Sequence, residues 1–291
     1  VQRAIQAAFV VLMLALLSRR LQAALRQWLQ GGRRIWLAPI SLTAGFWIAL
    51  YPARAASLPA LILPAMYVAL PTILVVLNRR RAPALDFLGI LCLWAPLEFP
   101  AVAGRMIPRG GQQIVYEIAQ GAAVTLALML FLVYRNLEGM KYNFLTSWRD
   151  LTNALLGFAG AALMLIPLGR GLSFLGPFHM PASSVVAELA PTFLVILAGV
   201  ALPEELLFRS LIQNRLMQCL GESNRTLLAA AVIFGAAHLN NGPQPLPNWR
   251  YLILATIAGF LYGKVFQRSS SVLSSAFVHA LVNTVRRIFF L

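Results

Sequence analysis

The stretch VVAELAPTFLVILAGVALPEELLFRSLI, residues 185–212, carries only four charged side chains: Glu188, Glu204, Glu205 and Arg209. Its apolar residues run on without the alternation of a half-buried strand, and it exceeds the roughly 20 residues a helix needs to cross a bilayer. Similar runs recur along the chain, at 4–17, 35–51, 58–78, 85–104, 114–134, 151–168, 226–240, 251–267 and 272–289. Continuous apolarity excludes a closed β-barrel, the other architecture able to span a membrane. The sequence therefore predicts an all-α, polytopic transmembrane helical bundle of about 8–10 spans.

Composition agrees. Of 291 residues, 59% are apolar and 11% charged, with a mean hydropathy of +0.75; a soluble domain carries about a quarter charged residues. So little polar surface cannot cover the chain, and membrane lipid must solvate most of it. The first run, Ala4 to Leu17, has the length of a signal-peptide core, but no small-x-small cleavage site follows cleanly. It reads as a short first span or an interfacial helix. Two cysteines, Cys92 and Cys219, build neither a disulfide framework nor a thiolate metal site.

The net charge of +15 would suit a nucleic-acid binder. Here the basic residues fall in gaps between apolar runs, so no basic face is formed and no nucleic-acid partner is expected. In the order of the runs, fourteen Lys and Arg follow odd-numbered spans and five follow even-numbered ones. The positive-inside bias places the first set in the cytoplasm. Arg286 and Arg287 fall on the wrong side of this scheme. Arg outnumbers Lys 22 to 2, which points to a GC-rich, bacterial source and hence to a multi-pass protein of the inner (plasma) membrane.

Ionisable residues within spans are costly and mark function by default. In Leu202-Pro-Glu-Glu-Leu-Leu-Phe-Arg209, Pro203 suits a first helical turn, and two carboxylates there would meet the positive end of the helix dipole. The run 185–212 is thus expected to break near Gly199 to Pro203. Neighbouring helical residues point about 100° apart, so the glutamates must serve different ends. Glu205 and Arg209, four apart, read as a structural ion pair, which leaves Glu204 facing elsewhere. Phe234 and His238 share a face across three small residues. His279 and Asn283 share another, and an imidazole with a carboxamide can offer two donors to one oxyanion. Counting about 1.5 Å per residue from the cytoplasmic span ends, Glu204, His238 and His279 reach one layer in the cytoplasmic half. Gly259 and Gly263 have the small-xxx-small spacing of closely packed helices.

The ordered set Glu204-Glu205-Leu-Leu-Phe-Arg209, Phe234-x-x-x-His238 and His279-x-x-x-Asn283 resembles the CPBP (Abi) family, which includes CAAX prenyl proteases of the Ras-converting-enzyme type. The resemblance covers about residues 185–290. It divides the chain into N-terminal transmembrane helices of unassigned role, 1–180, and a protease core, 181–291. It implies an intramembrane endopeptidase that acts on a peptide or membrane-protein substrate. In that reading Glu204 and His238 activate a water, His279 and Asn283 stabilise the oxyanion, and Glu205, Arg209 and Phe234 support the site. The family is often described as metalloproteases, and a metal-free, glutamate-dependent mechanism is also proposed for it. A divalent metal such as zinc would take Glu204, His238 and His279 and leave a position for water. The zincin pattern His-Glu-x-x-His is absent, and zinc on Glu204 would leave only Glu205 as base, so the sequence favours a water activated without metal.

Two other functions compete. A non-catalytic scaffold of the same superfamily is the first, although a scaffold would be expected to shed its glutamates. The second is a proton-coupled transporter, for which no inverted repeat or pair of broken helices speaks. A polar network that only ties helices together is the bland alternative. At about 0.6 kcal/mol per bond in membranes, it is weak recompense for burying several ionisable groups. His179, in Gly-Pro-Phe-His-Met-Pro, reads as a loop residue, and Glu98, Glu117 and Glu188 as residues of span edges.

Overall fold

The structure, a computed structural model, describes residues 1–30, 32–50, 58–98, 112–181, 187–242 and 245–291. Among them there is no strand, so the all-α expectation stands. Arg54, Arg105 and Arg109, used above for loop charge, lie outside the described residues, as do the ends of three expected spans, 35–51, 85–104 and 185–212.

Two compact units result, Val1–Glu138 and Gly139–Leu291. The first holds helices α1 (Gln2–Ala15), α2 (Arg19–Trp28), α3 (Leu37–Leu50), α4 (Leu58–Leu77), α5 (Pro83–Glu98) and α6 (Gln112–Ala127), the last continuing with π geometry through Leu128–Tyr134. The second holds α7 (Trp148–Gly171), α8 (residues Leu189–Leu220), α9 (Asn224–Ala236), α10 (Trp249–Arg268) and α11 (Leu273–Phe289). The motifs, from Glu204 onward, all fall in the second unit, which starts at Gly139 because α7 packs against α10 and α11.

Among the described residues, three helices are long and apolar enough to cross a membrane: Tyr116–Tyr134, Trp148–Gly171 and Leu189–Leu220. The pair α1 and α2, bent by 102°, makes a fourth if it forms one span. Ile62–Leu77 and Asn224–Ala236 are apolar but shorter. The 13 residues of α9 rise only about 20 Å, less than the roughly 30 Å of a hydrocarbon core. Lipid as solvent is plainest on α7, whose apolar window is only 17% buried; Leu155, Leu156 and Leu163 stand outward on it.

The run expected to break does not. α8 is one helix, with π geometry over Leu197–Ala201 and Leu206–Gln213 around a single α turn, Leu202–Glu205. Inside an α-helix, Pro203 would lack a donor and press on the carbonyl four residues back. The wider π turn just before it accommodates that mismatch. The glutamates consequently lie mid-helix rather than at a helix N-terminus, and the dipole stabilisation expected for them does not apply. The charge of Glu205 is met by side chains instead.

Close backbone approach sets the rest of the second unit. A Cβ on Gly259 would lie 2.9 Å from the Phe234 ring, one on Gly235 2.7 Å from the Leu252 carbonyl, and one on Gly263 would strike Leu227. These glycines let α9 and α10 touch, as the small-xxx-small spacing suggested. Ala154, Ala161, Leu254, Ala258, Val265 and Val278 build the core between α7, α10 and α11. The segment before α7 pins the turn between α10 and α11. Lys141 Nζ donates to the Phe266 and Gln267 carbonyls at 2.8 and 3.1 Å, Val272 N–H donates to Lys141 O at 2.8 Å, and the Ser271 hydroxyl donates to Asn143 O. Ser210 ties α8 to the same segment through Met140 O, at 2.6 Å.

Candidate active site

Each element of the site is positioned by short-range chemistry. Ser223 caps α9, accepting from Thr226 N–H at 3.1 Å, and the helix ends just before His238. Asn248 caps α10, accepting from Tyr251 N–H at 3.1 Å. It also binds back to the 239–241 turn: its N–H donates to Leu239 O at 2.6 Å and its carboxamide to Asn241 O at 2.8 Å. That clasp brings the end of α9 to the start of α10 and sets the Tyr251 ring 4.6 Å from the His238 ring.

The two glutamates face different partners, as their 100° separation requires. Glu205 is fully buried. One of its oxygens accepts from Arg209 Nε at 3.0 Å and the other from His279 Nδ1 at 3.2 Å. Arg209, equally buried, lies over the Phe234 ring at 4.8 Å. Glu204 points the other way. Its Oε2 is 3.9 Å from the Nε2 of both His238 and His279. That oxygen is buried and has no hydrogen-bond partner among the described residues.

Ring contacts lock the imidazoles. His279 stacks on Tyr262 with centroids 5.0 Å apart and meets the edge of Phe234 at 5.9 Å. His238 places Nδ1 2.8 Å from the Phe234 carbonyl oxygen. A carbonyl only accepts, so Nδ1 carries the proton in the neutral ring and Nε2 presents its lone pair toward Glu204. Asn283 lines the same cavity as His238, His279, Tyr251 and Tyr262. The cavity measures about 80 Å³, room for several waters at roughly 10–15 Å³ each.

The sequence singled out Glu204, Glu205, Arg209, Phe234, His238, His279 and Asn283, and the fold gathers all seven in one place. His179 is exposed and bonds through its N–H to Phe289 O. Glu117 accepts from Gln6 and Glu98 from Trp94 within the first unit, and Glu188 sits exposed at the start of α8. Sequence reasoning missed Tyr251 and Tyr262. Their signal was present: Tyr251, Ala255, Ala258 and Tyr262 follow the i, i+4, i+7, i+11 pattern of one helical face.

Zinc fits these donors poorly. At about 2.0–2.1 Å from each ligand in a tetrahedron, it would hold donors roughly 3.3 Å apart. Both carboxylate–imidazole separations here are 3.9 Å, and among the described residues no group of three His, Cys, Asp or Glu side chains has metal-binding geometry. The same 3.9 Å suits a small hydrogen-bonded molecule between them, with bonds of about 2.8 Å.

Fold and site together define a helical membrane protein in which a half-buried carboxylate and two imidazoles converge, the imidazoles lining a cavity. Residues 186–285 match the family described as type II CAAX prenyl endopeptidase Rce1-like. That stretch is thus similar to a family of CAAX prenyl endopeptidases, which are peptide hydrolases. No curated protein and no solved structure matches the chain.

Proposed function

We propose that the chain is an intramembrane endopeptidase in which Glu204 and His238 activate a water for attack on a peptide bond. The observation that carries this is the Glu204 Oε2 atom, buried, without a hydrogen-bond partner among the described residues, and equidistant from two imidazole nitrogens. A water between Glu204 and His238 would donate to the carboxylate and to the Nε2 lone pair, turning its own lone pair toward the scissile carbonyl. Glu204 would take the water's proton and pass it to the leaving amine as the C–N bond breaks. Nε2 of His279 and the Asn283 carboxamide would donate to the tetrahedral oxyanion. Glu205 supports that role by accepting from Nδ1 of His279. Arg209 and Phe234 hold Glu205 and the imidazoles in place.

The substrate is a peptide or a membrane-protein segment reached from the lipid phase. Loop charge puts the 269–272 end of the second unit in the cytoplasm of a bacterial cell. His279 lies nearer the Leu273 end of α11 than the Phe289 end, in keeping with catalysis in the cytoplasmic half of the inner membrane.

Terminus-resolved proteomics of membranes from cells expressing the wild-type chain or Glu204→Ala tests the reading. Uncut termini should accumulate in the variant, and purified wild-type protein should cut peptides spanning those sites. Identical termini in both strains would overturn the proposal and favour a scaffold.

A further inference from the structure

Residues 1–85 hold ten arginines and no aspartate or glutamate. Most of them gather at one end of the first unit, around a corner built from polar bonds. α2 turns 102° from α1. Gln22 fixes the corner by donating from Nε2 to Leu16 O at 2.8 Å, and Ser18 caps α2. Arg26 ties α2 to the end of α6, donating through Nε and Nη2 to Leu132 O at 3.3 and 3.1 Å. Arg135, three residues further on, donates to Asn78 O at 2.7 Å, which brings Arg79, Arg80 and Arg81 to the same end. Those three are exposed, as are Arg19, Arg20, Arg33 and Arg34. Among the described residues the side chains of Arg19, Arg20, Arg33, Arg79 and Arg80 have no hydrogen-bond or ion-pair partner.

Apolar side chains share this end. Trp28 and Trp36 are 42% and 37% exposed. Arg34 lies 5.5 Å over the Trp28 ring, and its Nη1 donates to Trp28 O at 2.8 Å. On α2, at 100° per residue, Leu21, Leu25 and Trp28 share one face while Arg19 and Arg26 share the opposite one. Leu37 and Ile40, in the first turn of α3, are exposed as well. A helix set at a right angle to an apolar one, with one basic and one apolar face, lies along a membrane surface. Its partner must cover tryptophan, leucine and isoleucine and also neutralise guanidinium groups. An anionic phospholipid does both in one molecule, with a phosphate that a guanidinium fork fits. RNA or an acidic peptide would leave the apolar side chains in water.

We propose that this end of the first unit is a binding surface for anionic phospholipid, with α2 in the headgroup layer and Arg19, Arg20, Arg33, Arg79 and Arg80 on lipid phosphates. Loop charge sets it at the cytoplasmic leaflet, where anionic lipid is found.

Native mass spectrometry of the full chain in detergent tests this, with equal amounts of phosphatidylglycerol and phosphatidylcholine of the same acyl chains. Phosphatidylglycerol should be retained about tenfold or more over phosphatidylcholine, since one arginine at an anionic surface is worth about fivefold. The preference should fall toward one when Arg19→Gln, Arg20→Gln, Arg33→Gln, Arg79→Gln and Arg80→Gln are combined. The unfolding midpoint in detergent should hold, and the five lysine substitutions should keep most of the preference. So should Arg149→Gln, Arg225→Gln and Arg268→Gln together, which remove exposed arginines of the second unit. Equal uptake of both lipids by the wild-type protein would overturn the proposal. So would a preference that survives the five glutamine substitutions, or one lost equally in the second-unit variant. Displacement of the bound lipid by RNA or polyglutamate, and not by excess phosphatidylglycerol, would assign the surface to a soluble polyanion instead.

Discussion

Each compact unit buries an arginine against a carboxylate, and the two pairs are finished differently. In the first unit Asp86 takes two bonds from Arg135 Nη2, at 3.0 and 3.2 Å, and a third from Asn78 at 2.9 Å. Arg135 Nη1 closes the circuit on Asn78 O at 2.7 Å. This network joins the end of α4, the start of α5 and the end of α6, and its polar atoms are spent on one another. In the second unit Glu205 and Arg209 lie mid-helix. Among the described residues Arg209 Nη1 and Nη2 have no hydrogen-bond partner, nor has the neighbouring Glu204 Oε2. A closed network contributes structure. An open one, at the same burial cost, keeps polar atoms available for a reacting molecule.

Substitutions can separate the two cases. Glu204→Gln should lower peptide hydrolysis by about 10³-fold or more and leave the unfolding midpoint in detergent nearly unchanged, because Oε2 has no hydrogen-bond partner among the described residues. A comparable fall in stability would erase the contrast. Asp86→Ala should do the reverse, stranding the Arg135 cation at a cost of about 3–5 kcal/mol in chemical unfolding. Turnover per folded molecule should persist. Asn283→Ala should reduce kcat by about 10²-fold with KM little changed, as expected for a donor used only in the transition state; an equal rise in KM would assign it to substrate binding. The smallest effect is structural. Gly235→Ala would push a methyl against the Leu252 carbonyl and Thr256, costing about 1–3 kcal/mol and reducing kcat only as far as His238 is displaced.

Much of this was legible from residue spacing. The i, i+4 relation of Glu205 and Arg209, the shared face of Phe234 and His238, and the glycines at 259 and 263 follow from helical periodicity alone. What periodicity cannot carry is register across a change of helix type. Pro203 usually marks a first helical turn, and the sequence therefore predicts the glutamates there. The chain instead keeps a single helix by widening it over Leu197–Ala201. Nor does spacing within one helix report what the next presents. The aromatic clamp of Tyr251 and Tyr262 on the two imidazoles depends on the Asn248 clasp and on glycine contacts between α9 and α10. Arg286 looked anomalous for a related reason: its distance along the chain placed it at a span end, while packing turned it toward the cavity.

The π geometry on either side of Glu204 and Glu205 also makes the site sensitive to chain length. A π turn holds one residue more than the α turn it replaces. Deleting a single residue between Leu197 and Ala201 would relax that stretch toward ordinary helix and swing everything after it by about 100°. Residue identities would all survive, yet each acid would inherit the other's surroundings, so a change of length there would be as consequential as a change of charge.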